Sequence, residues 1–209
     1  MLTLDVALSF FGIAVLLALS PGPDNIFVLM QSAMWGRSKG LMVVLGLCTG
    51  LIGHTVAVAV GLAALVAASP AAFTVLKLLG AGYLVYLAWG ALRAGAQTSS
   101  SGTPTVRQAS RALYWRGIIM NITNPKVTVF FLAFLPQFAN PARGSVALQT
   151  VSLGALFMLA TLLVFGAIAW FAGTLGTRLS TSARAQKLIN RLAGIVFLGL
   201  ALRLVTSSR

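Results

Sequence analysis

Ser20-Pro21-Gly22-Pro23-Asp24-Asn25 interrupts a hydrophobic run from Leu4 to Met34 that is long and apolar enough to cross a bilayer. In hydrocarbon an unsatisfied backbone polar group is costly, so broken backbone persists only where it is buried in protein or lines a cavity. Each proline lacks the amide that would bond the carbonyl four residues earlier, Leu17 for Pro21 and Leu19 for Pro23. A broken span with a carboxylate, Asp24, at membrane depth implies a cavity, and a cavity there implies a pathway.

Composition agrees. The 209 residues are 58% apolar and only 8% charged, with a mean hydropathy of +0.95, values that belong to an integral membrane helical bundle. The formal charge of +13 arises because two acids, Asp5 and Asp24, face 15 Lys and Arg. These lie in short runs between apolar segments, where the positive-inside rule places them, so no nucleic-acid partner is expected; the bilayer lipid is one partner. The single Cys48 forms no internal disulfide and reads as a packing residue. The N-terminus carries no Lys or Arg before Arg37, and Pro21 would follow a cut at Ala18-Leu19-Ser20, so a retained first helix is expected rather than a signal peptide.

Six hydrophobic segments are expected to cross the membrane: Leu4–Met34, Gly40–Ala68, Ala71–Ala94, Ala112–Phe138, Ser145–Leu175 and Leu188–Val205. The polar linker 95–111 divides them into two three-helix halves, 1–94 and 112–209. An odd number per half makes the second enter from the opposite side, which predicts an all-α polytopic bundle of two inverted repeats with broken first and fourth spans. An offset of 104 positions places Ser20-Pro21 on Asn124-Pro125, Gly40 on Gly144 and Gly50 on Gly154. Ser20-Pro21 and Asn124-Pro125 both read as an N-cap followed by proline at the first helical position. Ten basic residues (Arg37, Lys39, Arg93, Arg107, Arg111, Arg116, Arg178, Arg184, Lys187, Arg191) follow the odd spans or precede the even ones. Four, Lys77, Arg143, Arg203 and Arg209, lie opposite. This places the first group in the cytoplasm and both termini outside, with Trp35, Trp89 and Trp115 as interfacial anchors.

The two breaks are the candidate binding site: Ser20, Pro21, Gly22, Pro23, Asp24 and Asn25 in the first, Asn121, Asn124, Pro125 and Lys126 in the second. A half-helix N-terminus offers unpaired amides and roughly +0.5 of a charge, suited to a carboxylate. Freed carbonyls of Leu17, Leu19 and Asn121 would suit an ammonium group, and Gly22 would allow backbone to approach a ligand. Asp24 lies about 15 Å from the Met34 end. It is either a proton carrier or ammonium partner, or a cap on the break. Lys126, roughly 21 Å into its span, pairs with Asp24, binds a substrate carboxylate or is purely structural. His54 is a second proton-coupling candidate and equally a packing residue. Without a His, Cys or acid cluster, no metal site is expected.

With those residues in view, the chain resembles the LysE/RhtB family of bacterial amino-acid exporters over essentially its whole length. The likeness rests on Ser20 to Asn25, the Gly40–Gly50 spacing, and Asn121-Ile122-Thr123-Asn124-Pro125-Lys126. It implies a multi-pass inner-membrane exporter of a small or neutral amino acid or a derivative such as homoserine lactone. Members resemble threonine, homoserine and leucine efflux proteins, and such exporters are thought to couple to the proton or cation gradient and often to form homodimers. One cysteine and one histidine give a membrane-embedded enzyme or redox carrier little to work with, so no enzymatic activity and no cofactor are expected. An inorganic- or metal-ion exporter is the alternative within transport; a membrane-embedded enzyme and an assembly subunit are the alternatives outside it.

Overall fold

The computed structural model describes residues 2–68, 70–94, 108–172 and 183–206. These are helical, with no strand among them. The helices are α1 (Leu4–Leu19), α2 (Pro23–Trp35), α3 (Arg37–Ala68), α4 (Pro70–Arg93), α5 (Ser110–Thr123), α6 (Pro125–Val129), α7 (Val146–Phe171) and α8 (Ala183–Thr206). The π turn Phe130–Phe134 and the 3-10 turn Leu135–Phe138 continue α6.

Most of the expected spans are recovered to within a few residues. Three helical segments, Arg37–Gly61, Thr74–Arg93 and Val146–Phe171, are long and apolar enough to cross a membrane on their own. Two more crossings require joined pieces, α1 with α2 at a 64° bend and α5 with Pro125–Phe138 at 51°. The sixth expected segment lies within α8, which packs along α4. Its Leu188, Leu192, Ile195, Leu198, Leu202 and Val205 are exposed, but among the described residues α8 is not one of the helices long and apolar enough to cross a membrane. Positions 95–107 of the linker and the end of the fifth segment beyond 172 fall outside the described residues.

The helices interlock across the chain's midpoint. α1 packs on α7 of the second half, α5 packs on α3 of the first, and α3 lies against α7. Small residues set the closest crossing. A Cβ on Gly46 would collide with the Tyr114 carbonyl, and one on Gly117 with the Val43 carbonyl. Thr49 and Tyr114 close that crossing through a 2.9 Å hydroxyl contact. Gly50 makes room for Asn121 and Gly80 for Ala133, whereas Gly53, Gly82 and Gly90 have nothing within 4 Å and allow no close packing.

Two apolar clusters fill the bundle. One, around Val28, Val43, Leu47 and Phe165, lies between α2, α3 and α7. The other gathers Phe10, Phe130, Phe131, Phe134, Phe138 and Phe157 on the far side of the breaks. Adjacent rings there are 5.0 to 6.3 Å apart. Behind this cluster Gln149 pins the 139–144 turn, accepting from Asn140 N and donating to Asn140 O and Gly144 O.

Of the basic groups counted, Arg107, Arg178 and Arg209 lie outside the described residues. Arg37 stacks over Trp170 and Arg93 over Trp89. Lys39 donates to Gln108 O and Ser110 Oγ, tying the start of α3 to the start of α5. At the opposite end Arg143 donates to Thr3 and Arg203 stacks over Phe138.

Candidate functional site at the two helix breaks

The second break has the cap expected of it. Asn124 is the N-cap of α6, its Oδ1 accepts from Lys126 N at 3.0 Å, and Pro125 is the first helical residue. The first break differs. Ser20 closes α1, donating its backbone N–H to Leu16 O, and α2 is capped by Gly22 with Pro23 first. Pro21 is therefore in the connection and not at a helix start. The matching pairs are Pro23 with Pro125 and Asp24 with Lys126, an offset of 102 rather than 104. The Gly40–Gly144 match fails as well: Gly144 turns the chain at φ 105 while Gly40 is helical, and Gly36, at φ 88, has the left-handed conformation instead.

That shift gives the two half-helices opposite charges at the same position. Asp24 follows the first proline of α2, and Lys126 follows the first proline of α6. Both are buried, at 4% and 8% exposure, and each reaches across to the other break. Asn124 Nδ2 donates to Asp24 Oδ2 at 2.7 Å. Lys126 Nζ donates to Leu17 O at 3.2 Å and Ser20 O at 3.1 Å. The two charges interact electrostatically, but the ammonium donates to carbonyls and only one carboxylate oxygen, Asp24 Oδ2, accepts from an amide. An ion pair is one resolution of two buried opposite charges; here neutral dipoles separate them.

Two of the three carbonyls expected to be free, those of Leu17 and Asn121, are taken by the chain itself, as is Ala18 O. Lys126 takes Leu17 O, Asn25 Nδ2 takes Ala18 O at 2.8 Å, and Asn121 O receives Asn124 N and His54 Nε2. Gly22 lies beside Lys126 in this arrangement, where a Cβ would be 3.4 Å from Lys126 Nζ and 3.6 Å from Asn25 Oδ1, both ordinary contacts. Nor do both half-helices offer open amides. Asn124 satisfies the first turn of α6 through its side chain and through its carbonyl, which accepts from Val127 N and Thr128 N. Only in α2 do the amides of Asp24 and Asn25 lack an intrahelical acceptor, and the positive end of the helix dipole is there too.

What the breaks lack is donors. Ser20 Oγ, Asp24 Oδ1, Asn25 Oδ1 and Asn121 Oδ1 are buried without a hydrogen-bond partner among the described residues. Orphaned buried acceptors are uncommon in folded proteins and mark places where a ligand or water binds. Asp24, Asn121 and Lys126 line one small cavity of about 20 Å³, walled by Leu17, Leu47, Val127, Phe157 and Phe165 with Thr161 at its side. Such a volume holds a single water. Leu47, Phe157 and Phe165 were not legible as site residues, because an apolar residue in a span carries no mark of facing a cavity, and neither does a lone threonine such as Thr161.

His54 stands one step away. It is half-buried on α3, 3.3 Å from Asn121 O and with its ring 5.4 Å from that of Phe131. Its Nε2–H is the donor, since a carbonyl only accepts. Among the described residues no group of three His, Cys, Asp or Glu is placed to hold a metal ion.

Relatives match this chain along most of their length. An uncharacterized membrane protein of Vibrio cholerae serotype O1 is 33% identical, over 98% of each chain. The membrane protein YrhP of Bacillus subtilis is 27% identical, over 94% of this chain and 96% of its own. A leucine efflux protein of an Enterobacter strain is 28% identical, over 92% of both. No solved structure matches. The LysE type translocator model matches residues 15–208, which include both breaks. This membrane protein belongs to the LysE type translocator family.

Proposed function

We propose that the chain exports a small, neutral, aliphatic amino acid or close derivative from the cytoplasm in exchange for protons. The observation that carries this is the cavity between the breaks, lined by Asp24, Asn121 and Lys126, with Asp24 Oδ1 and Asn121 Oδ1 buried and left without a hydrogen-bond partner. An α-amino acid has the matching ends. Its ammonium would give Asp24 Oδ1 and Asn121 Oδ1 their missing donors, and its carboxylate would lie toward Lys126 and the open amides of α2. The side chain would meet Leu17, Leu47, Val127, Phe157 and Phe165, a wall that favours an aliphatic group. The Enterobacter relative's name, leucine efflux protein, supports the same class.

Coupling follows from competition at one oxygen. Asp24 is one of only two acids in the chain, so a proton on its carboxyl and an ammonium beside it exclude each other. Protonation from outside would release the substrate, and deprotonation toward the cytoplasm would readmit it, a one-for-one exchange. His54, hydrogen-bonded to the residue that supplies Asn121 Oδ1, is the candidate path for the proton. A cavity that holds one water must open to admit an amino acid, so this arrangement is a closed one. Rocking of residues 1–94 against 112–209 about Pro23 and Pro125 would open it alternately to each side. In this reading the protein lies in the inner membrane with both termini outside, and catalyses no reaction.

Efflux from proteoliposomes under an imposed pH gradient tests the reading, with wild type beside Asp24→Asn. Leucine-class efflux driven by the gradient and lost in Asp24→Asn is the expected result. Gradient-independent efflux equal in both proteins would refute coupling at Asp24. Silence across all amino acids, with inorganic cations moved instead, would replace the substrate class.

A further inference from the structure

We propose that the elbow between α1, α2 and α7 is a binding site for an anionic phospholipid, with one acyl chain in the groove and the phosphate on Arg37. The 64° bend between α1 and α2 leaves a groove of about 430 Å³ that is apolar throughout. Phe11, Val15 and Leu19 line it from α1, Leu29 from α2, and Leu163 and Ala167 from α7. Phe11, Val15 and Leu19 are spaced four apart and so share one face of α1. In a bilayer this cleft opens onto hydrocarbon, which suits an acyl chain.

Charge selects the lipid. The groove runs to Phe171, next to Trp170, and the Arg37 guanidinium sits 4.1 Å over the Trp170 ring. The stacking holds an exposed Arg at the depth where indoles meet head groups. No acidic side chain of this chain is available to it. The two acids are Asp24, buried at the break, and Asp5, in the first turn of α1 at the opposite end. No side chain of the protein supplies Arg37 with a counter-ion, and beside the Phe171 end of an apolar groove that Arg37 and Trp170 do not themselves line, a phosphodiester with an acyl tail meets both requirements.

The groove and the polar cavity are back to back. Leu17 and Ala18 face the cavity while Val15 and Leu19 face the groove; on α7, Thr161 and Phe165 face the cavity while Leu163 and Ala167 face the groove. A chain lodged there braces the last turn of α1 against α7, the wall that must move for the cavity to open. Lipid composition is thereby linked to the transport cycle. The binding itself does not depend on which substrate is carried.

The test is native mass spectrometry of the full chain extracted from vesicles of equimolar phosphatidylglycerol and phosphatidylcholine. One basic contact at a membrane surface is worth about 1 kcal/mol, so roughly fivefold enrichment of retained phosphatidylglycerol is expected. Arg37→Gln should remove the preference while lipid is still retained. Ala167→Phe, which fills the groove, should release the lipid. Quenching of Trp170 by bromine-labelled phosphatidylglycerol in wild type, stronger than by the choline lipid, checks position without relying on either variant. Equal retention of both lipids by wild type, a preference that survives Arg37→Gln, or a lipid-free dimer in which a second copy covers the groove would each overturn the proposal.

Discussion

Asn124 performs two separable tasks, and Asn124→Ser separates them. Its Oδ1 caps α6 at Lys126 N, and its Nδ2 reaches Asp24 Oδ2 at 2.7 Å. Serine is as good an N-cap as asparagine but its hydroxyl is too short to span to Asp24. A hydrogen bond to a buried charged group is worth about 1.5–3 kcal/mol, and a cap about 1 kcal/mol. Asn124→Ser should therefore cost about 1.5–3 kcal/mol, and Asn124→Ala roughly one more. Asp24 is 4% exposed, so solvent supplies little replacement. Reversible unfolding in mixed micelles gives the energies. The decisive quantity is the coupling in a double-mutant cycle with Asp24→Leu, expected at about 1.5–3 kcal/mol. The double variant should be more stable than either single one predicts, since removing both partners orphans neither, while transport is abolished. A coupling under about 0.5 kcal/mol, the size of ordinary non-additivity, would refute a bridge between the breaks.

Lys126→Met leaves Leu17 O and Ser20 O without their buried donor; transport should be lost and the melting temperature in detergent should fall, by an amount equivalent to about 1–3 kcal/mol per orphaned group at most. Gly46→Ala places a methyl against the Tyr114 carbonyl and should destabilise by about 1–3 kcal/mol, whereas Gly82→Ala, with nothing within 4 Å, should be neutral or slightly stabilising in the same melt. Gln149→Ala removes the clamp on Asn140 and Gly144, so amide exchange across 139–144 should speed up by roughly tenfold or more per 1.4 kcal/mol lost, with exchange in α3 unchanged.

The membrane nature of the chain, most of its apolar helices and the two breaks were open to a reader of the sequence. Hydrophobic length and proline are strictly local signals: a stretch's own residues decide whether it is long and apolar enough to cross lipid, and a proline removes its own amide wherever it sits. The second N-cap was legible for the same reason, because Asn124, Pro125 and the amide of Lys126 are neighbours in the chain. At the first break the local signal was ambiguous, since Ser20-Pro21 and Gly22-Pro23 both satisfy it, and the packing selected Gly22.

Only the tertiary structure decided what the two breaks do to each other. Whether Lys126 meets a carboxylate or carbonyls depends on where α1 ends relative to α6, and Leu17 O lies 109 positions from the ammonium that takes it. The separation of Asp24 from Lys126 by neutral dipoles, the orphaned oxygens around one small cavity and the apolar elbow beside Arg37 are likewise products of helices meeting at particular angles. Sequence determines which groups must be satisfied; in a bundle whose halves interlock, geometry assigns the partners.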